Sequence, residues 1–352
     1  MATRSMQCWV VDEPGPVTSA PLRLVERAVP DPLTGEVLLD VEVCGVCRTD
    51  LHLAEGDLPP RHARVVPGHQ VVGRVSRLGP GTSRFRVGDR VGVAWLRGTC
   101  GVCRWCRSGR ENLCPASTYT GWDADGGFAE QAVVPEAFAY RLADGVDAVD
   151  AVDAVDAVDA VAMAPLLCAG IIGYRSLVRS QLPPGGRLGL YGFGSSAHIT
   201  AQVALAQGAE VYVMTRGESA RELARELGAA WVGTTEERPP DPLDSAIVFA
   251  PAGRLVPVAL EALGRGGTLA LAGIHMSEVP PLDYERHLFL ERDLRTVTSN
   301  TRRDGEELLG LAARLGVRAH TTTYAFEDAD RALADLAADR FSGSAVLRIG
   351  AP

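Results

Sequence analysis

The sequence has no excess of basic residues: 35 lysines and arginines stand against 44 aspartates and glutamates, for a formal net charge of −9 over 352 residues. An acidic chain lacks the electrostatic footprint that nucleic acid or an anionic membrane attracts. No apolar run approaches the ~18 residues of a membrane span, and the start, "MATRSMQCWVVDEPGP", lacks the apolar core of a signal peptide. We therefore expect a cytoplasmic protein with no nucleic-acid or membrane partner.

Without an export signal, the eight cysteines are expected to be reduced and to bind metal or take part in catalysis. Four of them, Cys100, Cys103, Cys106 and Cys114, form a C-x2-C-x2-C-x7-C pattern in a loop that contains several glycines. Four thiolates at this spacing predict a closed tetrahedral zinc site, and a site with no open position is structural. An iron–sulfur cluster is the alternative, although the known ferredoxin spacings differ from this one.

A second cysteine cluster, "CGVCRTDLH", runs from Cys44 to His52. Further candidate ligands are His69 in "VVPGHQVVGRV" and Cys168 in "APLLCAGIIGYRSL". A catalytic zinc takes three protein ligands and keeps one position open. Taken singly, each of these residues is also consistent with an inert buried thiol or an ordinary core imidazole.

The segment "GGRLGLYGFGSSAHITAQVALAQGAEVYVMTR" predicts a strand, a glycine turn, a helix that ends near Gly208 and a second strand. The turn contains Gly192, Gly194 and Ala197 in a G-x-G-x-x-A pattern, which is typical of dinucleotide binding. A glycine-rich turn without a ligand is the alternative. Helix and strand patterns alternate as far as "LRTVTS", so we predict a doubly wound parallel sheet over residues 170–297.

If this turn binds a nicotinamide dinucleotide, the end of the second strand indicates which one. NAD-specific folds usually place an acidic residue there to bind the ribose hydroxyls. This sequence has Thr215 followed by Arg216, with Arg221 and Glu218 nearby. No carboxylate at Thr215 would repel a 2′-phosphate, so we expect NADP, with NAD as the alternative.

Five motifs resemble zinc-dependent alcohol dehydrogenases of the medium-chain dehydrogenase/reductase superfamily, in their order and approximate intervals. They are "CGVCRTDLH", "PGHQ", the four-cysteine loop, "PLLCAG" and the glycine turn, and the resemblance covers nearly the whole chain. It implies an α/β fold with a GroES-like β-rich catalytic domain, 1–169 and 298–352, and a Rossmann cofactor domain, 170–297. It also implies that Cys47, His69 and Cys168 bind a catalytic zinc, which gives two zinc ions per chain.

The same resemblance gives roles to the neighbours of Cys47. Thr49 is expected to hydrogen-bond the substrate oxygen, and His52 to end the relay that carries the alcohol's proton away. Asp50 resembles the carboxylate that orients the imidazole of a zinc ligand, and Arg48 resembles the residue that clamps the cofactor pyrophosphate. Each could otherwise be an ordinary turn residue or a solvated charge.

The substrate pocket is expected to include Trp95, which resembles a bulky aromatic residue beside the catalytic zinc, although it could simply be a core residue. It also includes Leu58, at a place where ethanol-preferring relatives can carry Trp. We therefore predict medium-chain or aromatic primary alcohols and aldehydes over ethanol. Three positions depart from the family pattern: Gln70 replaces Glu, Ile172 replaces a nicotinamide-contacting Thr, and Ser344 stands where some relatives place a second arginine.

The sequence thus predicts an NAD(P)-dependent alcohol dehydrogenase that interconverts primary or secondary alcohols with aldehydes or ketones, as a homo-oligomer, dimer or tetramer. The alternatives are a polyol dehydrogenase, a quinone or enone reductase of the same superfamily, and an inactive nucleotide-binding protein. Five copies of Asp-Ala-Val over 147–161 match neither helical nor strand periodicity. We interpret this repeat as a tolerated connection whose aspartates start a helix, with a carboxylate metal site as the alternative.

Overall fold

The computed structural model describes residues 4–143, 159–273 and 275–350. Contacts divide the chain into two compact units, each with its own sheet and apolar core. Unit 1 comprises Met1–Cys168, Asn300–Glu306 and Thr321–Pro352, and unit 2 comprises Ala169–Ser299 and Glu307–His320.

The strands of the described residues are β1 Ser5–Val11, β2 Leu22–Ala28, β3 Glu36–Val46, β4 Gln70–Leu78, β5 Arg90–Val93, β6 Leu96–Gly98, β7 Thr118–Tyr119, β8 Gln131–Pro135, β9 Ala139–Arg141, β10 Arg187–Tyr191, β11 Glu210–Met214, β12 Trp231–Gly233, β13 Leu243–Val248, β14 Leu263–Leu271, β15 Asp293–Thr296, β16 Thr321–Ala325 and β17 Ser344–Arg348. The α-helices are α1 Arg48–Glu55, α2 Arg104–Arg107, α3 Ala160–Met163, α4 Ala169–Ser180, α5 Ser195–Ala206, α6 Glu218–Glu226, α7 Leu255–Ala262, α8 Tyr284–His287, α9 Arg302–Leu315 and α10 Ala329–Ala337.

Unit 1 is built around a seven-stranded sheet in the order β16-β17-β3-β4-β5-β9, with β8 also paired to β3. Its central strand β3 has the valine-rich sequence EVLLDVEVCGV, and eight of its eleven residues are buried. Branched side chains suit a pleated, buried surface, which explains why this segment is extended. The sheet is antiparallel except between β16 and β17.

Unit 2 contains a six-stranded parallel sheet in the order β12-β11-β10-β13-β14-β15. The strand order reverses between β10 and β13, and ligands of such sheets bind at the carboxyl ends of the strands at this point. The predicted doubly wound α/β fold is therefore confirmed. The structure adds β12, a three-residue strand that the sequence analysis did not identify.

The predicted domain boundaries, 1–169 with 298–352 and 170–297, differ from this division mainly in the C-terminal tail. Contacts group 307–320 with unit 2 rather than unit 1. The end of that segment is tied to α5, because the backbone N–H of His320 donates to Nε2 of His198 at 3.0 Å. Gln202 of α5 likewise bonds the backbone of Arg318 through both its amide oxygen and its amide nitrogen.

Most of the Asp-Ala-Val repeat, residues 147–158, lies outside the described residues, so its prediction stays a prediction there. Its last aspartate, Asp159, does start a helix, because its carboxylate accepts the N–H of Val161 at the beginning of α3. Within the described residues no single helix is long and apolar enough to cross a membrane; Ala160–Leu167 and Ala169–Ser180 meet that criterion only together, across a 47° bend.

Candidate active site

Three of the predicted ligands, Cys47, His69 and Cys168, converge in unit 1. Cys47 is the N-cap of α1, His69 directly precedes β4, and Cys168 follows a short 3-10 turn. Nε2 of His69 lies 3.3 Å from the Sγ atom of each cysteine. Before His69, Gly68 has φ +95°, and a Cβ there would lie 2.5 Å from the ring of Phe128, so only glycine makes this turn.

This donor set matches zinc in chemistry and in spacing. Zinc bonds of about 2.3 Å to sulfur and 2.0 Å to nitrogen at tetrahedral angles place S and N about 3.5 Å apart. The observed separations of 3.3 Å are close to that value. Three donors leave one corner of a tetrahedron open, which is the arrangement of catalytic zinc sites.

Asp50 lies beside the imidazole of His69 and bonds the backbone at Cys47 and at Gly68, next to two of the ligands. Its carboxylate, 2% exposed, lies 3.4 Å from Nδ1 of His69. It also accepts the backbone N–H of Cys47 and of Gly68, both at 2.9 Å. A carboxylate on Nδ1 fixes the tautomer that directs the Nε2 lone pair towards the two thiols.

The three donors strongly shift one another's pKa values. A hydrogen bond from Cys168, together with the His69 imidazole, holds the pKa of Cys47 well below its usual value. Burial alone would lower the pKa of His69, but the charges of Cys47 and Asp50 outweigh it and raise that pKa to about 10. The hydrogen bond to Cys47, together with burial, raises the pKa of Cys168. The Cys47 thiolate and the His69 imidazolium therefore form a buried ion pair, and a metal ion bound here would displace the proton from Nε2.

Two predicted relay residues lie on the same helix as Cys47. Thr49 is 7% exposed, and its hydroxyl helps to lower the pKa of Cys47. Nδ1 of His52 lies 3.0 Å from a carboxylate oxygen of Asp57. Asp57 was not identified from the sequence, although it stands just beyond Gly56, which ends α1 with φ +90°.

Arg48, the predicted pyrophosphate clamp, is the first residue of α1. Its Nη2 atom lies 2.6 Å from Oδ1 of Asp339, which follows α10. The sequence analysis did not identify Asp339. The two residues are 291 positions apart, so no local pattern indicates the pairing.

The four-cysteine loop folds around a common centre, as the spacing predicts. All its sulfur atoms lie within 4.8 Å of one another, with Cys103 and Cys106 at 3.5 Å and Cys100 and Cys114 at 3.6 Å. Four sulfurs around a tetrahedral zinc are about 3.8 Å apart. Backbone N–H groups of Val102 and Cys103 lower the pKa of Cys100 to about 6.

Trp95 lies between the metal ligand His69 and two other aromatic rings, Tyr119 and Trp122. Its ring centroid lies 4.8 Å from that of His69, edge to face. Tyr119 stacks on Trp95 at 4.9 Å, and Trp122 lies nearly parallel to it at 6.0 Å. The residues that follow Leu58 are tied to this aromatic group, since Nε1 of Trp122 donates to the Pro59 carbonyl at 2.9 Å.

The glycine turn of unit 2 has the expected form. Gly192 follows β10 with φ +88°, and a Cβ there would lie 3.0 Å from the backbone of Ala250. A Cβ on Gly194, the N-cap of α5, would meet nothing within 4 Å, so this residue lies beside open space in front of a helix N-terminus. Ala197 is fully buried. Such an arrangement fits a dinucleotide pyrophosphate.

His198, in the first helical turn of α5, stabilises the glycine turn through a hydrogen bond to Gly194. Nε2 accepts the His320 N–H, so Nδ1 carries the proton and donates to the carbonyl of Gly194 at 3.1 Å. Burial lowers the pKa of His198 to about 4, which keeps the imidazole neutral.

The end of β11 has Thr215, 6% exposed, followed by the exposed Arg216. Arg221 does not extend freely, because its Nη1 atom donates to the carbonyls of Thr215 and Arg216 at 3.1 and 2.9 Å. Glu218 is bonded by Nε of Arg221 and Nη1 of Arg225, both at 3.1 Å, and its charge is therefore largely neutralised.

The structure also places the three departures from the family pattern and the two cysteines, Cys8 and Cys44, that belong to neither metal site. Gln70 is 2% exposed and packs on Gly45, where a Cβ would lie 2.8 Å from the amide carbon. Ile172 is half-buried in α4, and Ser344 is buried at the start of β17. Cys8 and Cys44 are fully buried, and burial raises the pKa of each thiol, so both are inert core residues.

Two family models match the chain. Residues 34–144 match the alcohol dehydrogenase GroES-like domain, and residues 197–314 match the zinc-binding dehydrogenase. The first match lies in unit 1 and contains Cys47, His69 and the four-cysteine loop. The second begins at Ala197, in the glycine turn of unit 2.

Several individual proteins resemble this chain over nearly their whole length. The probable alcohol dehydrogenase AdhA of Mycobacterium tuberculosis is 57% identical, over 99% of this chain and 98% of that protein. An alcohol dehydrogenase of Geobacillus stearothermophilus is 33% identical, over 90% and 92%. The cobalt- and zinc-bound thermostable alcohol dehydrogenase from Pyrobaculum aerophilum has a TM-score of 0.85 at 26% identity, over 98% and 100%.

Proposed function

The chain belongs to the zinc-binding alcohol dehydrogenase family, and we propose that it performs reversible hydride transfer between alcohols and NAD(P)+ at the Cys47, His69 and Cys168 site. The convergence of these three donors, with Nε2 of His69 3.3 Å from each thiol, is the observation that carries this proposal. A catalytic zinc held there would act as a Lewis acid that lowers the pKa of the alcohol. We further propose that unit 1 is the catalytic domain and unit 2 the cofactor domain.

The residues around the ligands have separate tasks in this proposal. Asp50 fixes the imidazole of His69, so that its Nε2 stays a ligand rather than a proton donor. Thr49 hydrogen-bonds the substrate oxygen, and His52 passes the released proton to solvent, to which its side chain is 21% exposed. Asp57 orients the imidazole of His52.

We propose a second zinc in the four-cysteine loop, with a structural role. Its four thiols leave no open position, so substrate cannot reach the ion. Closed zinc sites contribute to folding, because the ligands are brought together only in the folded chain. Removing this zinc is therefore expected to lower stability before it affects the chemistry.

For the cofactor we propose NADP rather than NAD. Thr215 puts no carboxylate at the end of β11, and the nearby Glu218 is already bonded to Arg221 and Arg225. That leaves Arg216 as the cation for a 2′-phosphate, whereas Arg221 shapes the turn. Steady-state kinetics with both cofactors test this: Thr215→Asp should shift preference towards NAD, and a wild type that already favours NAD would contradict it.

We propose medium-chain or aromatic primary alcohols and aldehydes as substrates. Tyr119 and Trp122 hold Trp95 in place, so it presents a rigid flat wall next to His69. Leu58 leaves more room than the Trp of ethanol-preferring relatives. Trp95→Ala should change the ratio of kcat/KM between a small and an aromatic aldehyde, with Trp105→Ala, in the four-cysteine loop, as the control; an unchanged ratio would contradict the assignment.

We also propose that the protein is a cytoplasmic homo-oligomer that acts on a small molecule. β15 is the last strand of its sheet, and Tyr284, Phe289 and Leu294 around it are 68%, 60% and 38% exposed. Exposed apolar side chains beside an edge strand favour association with a second copy. Light scattering on the purified protein tests this, and a monomer at all concentrations would contradict it.

The alternatives make different predictions in one experiment. An assay of NADPH and NADH against a panel of aldehydes, ketones, polyols and enones should show activity with aldehydes. Activity with none of them would favour an inactive nucleotide-binding protein. Polyol dehydrogenases often have a carboxylate as third ligand, so Cys168 argues against that alternative. The zinc-free quinone or enone reductases lack the ligand set of Cys47, His69 and Cys168.

A further inference from the structure

The guanidinium proposed to bind the pyrophosphate is already paired. The chain has no lysine, so its 35 basic residues are all arginines, and Arg48 is the one that starts α1. Its Nη2 atom lies 2.6 Å from Oδ1 of Asp339. The side chains of Arg48 and Asp339 are 43% and 69% exposed, so an incoming anion can reach the pair.

Local structure does not explain an aspartate at position 339. The residue has φ +50°, just after α10, in the left-handed conformation that glycine adopts at least cost. A carboxylate at the end of a helix also faces the negative end of the helix dipole. Glycine or asparagine would suit the backbone better. The contact that accounts for the carboxylate is the one with Arg48.

Two positions that follow α10 do not offer a second free arginine. Ser344 stands where some relatives place a second pyrophosphate arginine. Arg340, next to Asp339, is bonded to Asp335, with Nη1 2.7 Å from Oδ1. A contact between Arg48 and a diphosphate therefore depends on whether Arg48 leaves Asp339.

We propose that Asp339 is a positioning residue that sets the affinity for the dinucleotide by competing with its diphosphate for Arg48. The inference rests on the proposed function, together with the expectation from the family resemblance that Arg48 contacts the pyrophosphate. On binding, the guanidinium exchanges a carboxylate for phosphate oxygens, so the loss of the ion pair offsets part of the new contact. The cofactor then binds more weakly and dissociates faster than it would with an unpaired Arg48.

Titration of intrinsic fluorescence with NADPH and with NADH tests the proposal. Asp339→Asn should lower the Kd for both cofactors by about twofold to fivefold, since exposed ion pairs contribute up to ~1 kcal/mol. Both cofactors should respond alike because they share the diphosphate. The KM for cofactor should fall while kcat does not rise. Asp339→Gly should behave in the same way, which guards against an asparagine-specific effect on folding.

The control is Glu327→Gln, which removes the same charge from an exposed side chain just before α10 begins. It should leave Kd unchanged. In an Arg48→Gln background, Asp339→Asn should have no effect on Kd. If Arg48→Gln weakens binding but Asp339→Asn does not strengthen it, the proposal is wrong. If Arg48→Gln itself leaves Kd unchanged, the pyrophosphate assignment fails, and the role of Asp339 fails with it.

Discussion

Replacing Asp50 with asparagine tests how the metal-binding imidazole is held. The carboxylate accepts two backbone N–H groups at 2.9 Å and lies 3.4 Å from Nδ1 of His69. An asparagine has one oxygen in place of two, so its NH2 group must face at least one of these donors. The residue is 2% exposed, so water cannot replace the lost bond.

Two effects follow, one on the affinity for zinc and one on folding stability. Partners that orient a ligating histidine typically change metal affinity 10- to 100-fold, which is about 1.4–2.8 kcal/mol. A buried donor left without its acceptor costs a further ~1–3 kcal/mol of folding stability. Asp50→Asn should therefore give a folded but less stable protein that releases one zinc to a weak chelator.

The assay is a competitive chelator titration followed by zinc counting and by activity at saturating zinc. Asp57→Asn is the matched control, because it removes the same charge near the same helix yet contacts His52 rather than His69. The control should keep its zinc. If Asp50→Asn binds zinc as tightly as the wild type, the orienting role of Asp50 is wrong.

Three other outcomes follow from described contacts. Glu111→Gln should lower the free energy of unfolding by about 1–3 kcal/mol in urea denaturation, because Glu111 accepts the backbone N–H, Nε and Nη2 of Arg302; unchanged stability would contradict this. The pKa of His198 is lowered from 6.5 to about 4, so below pH 6.5 only the unfolded chain takes up this proton and stability falls. At pH 5 the loss is about 2 kcal/mol, and His198→Gln should not show it. Asp57→Asn should lower kcat up to about tenfold at full zinc content, because the imidazole of His52 loses its fixed orientation; an unchanged kcat would contradict that role.

The sequence predicted the parallel sheet well because its information is local. From β10 to β12 each strand or helix follows the last within a few residues, and the glycine turn marks where the first strand and helix meet. The strand Trp231–Gly233 is too short to produce a periodic pattern. The strands of unit 1 were predicted only as β-rich, because pairs such as Cys44 with Leu347 join residues distant in sequence.

Site residues divide in the same way. Metal ligands were proposed from motifs, since zinc restricts both residue type and spacing. Their partners carry no such restriction. Nothing in the sequence around Asp339 or Trp122 indicates a contact with Arg48 or with Trp95, because these contacts form only through tertiary packing. Asp57 is the exception. Gly56 ends α1, so the sequence indicates that the chain reverses there and brings the next residue close to the last turn of the helix, which contains His52.

Zinc content is the most direct test of the account. Elemental analysis of the active enzyme should find two zinc ions per chain. Cys47→Ser should leave a folded, inactive protein with one zinc, whereas Cys103→Ser should lose folding stability. A fully active enzyme with only one zinc ion per chain would contradict the division into a catalytic and a structural site.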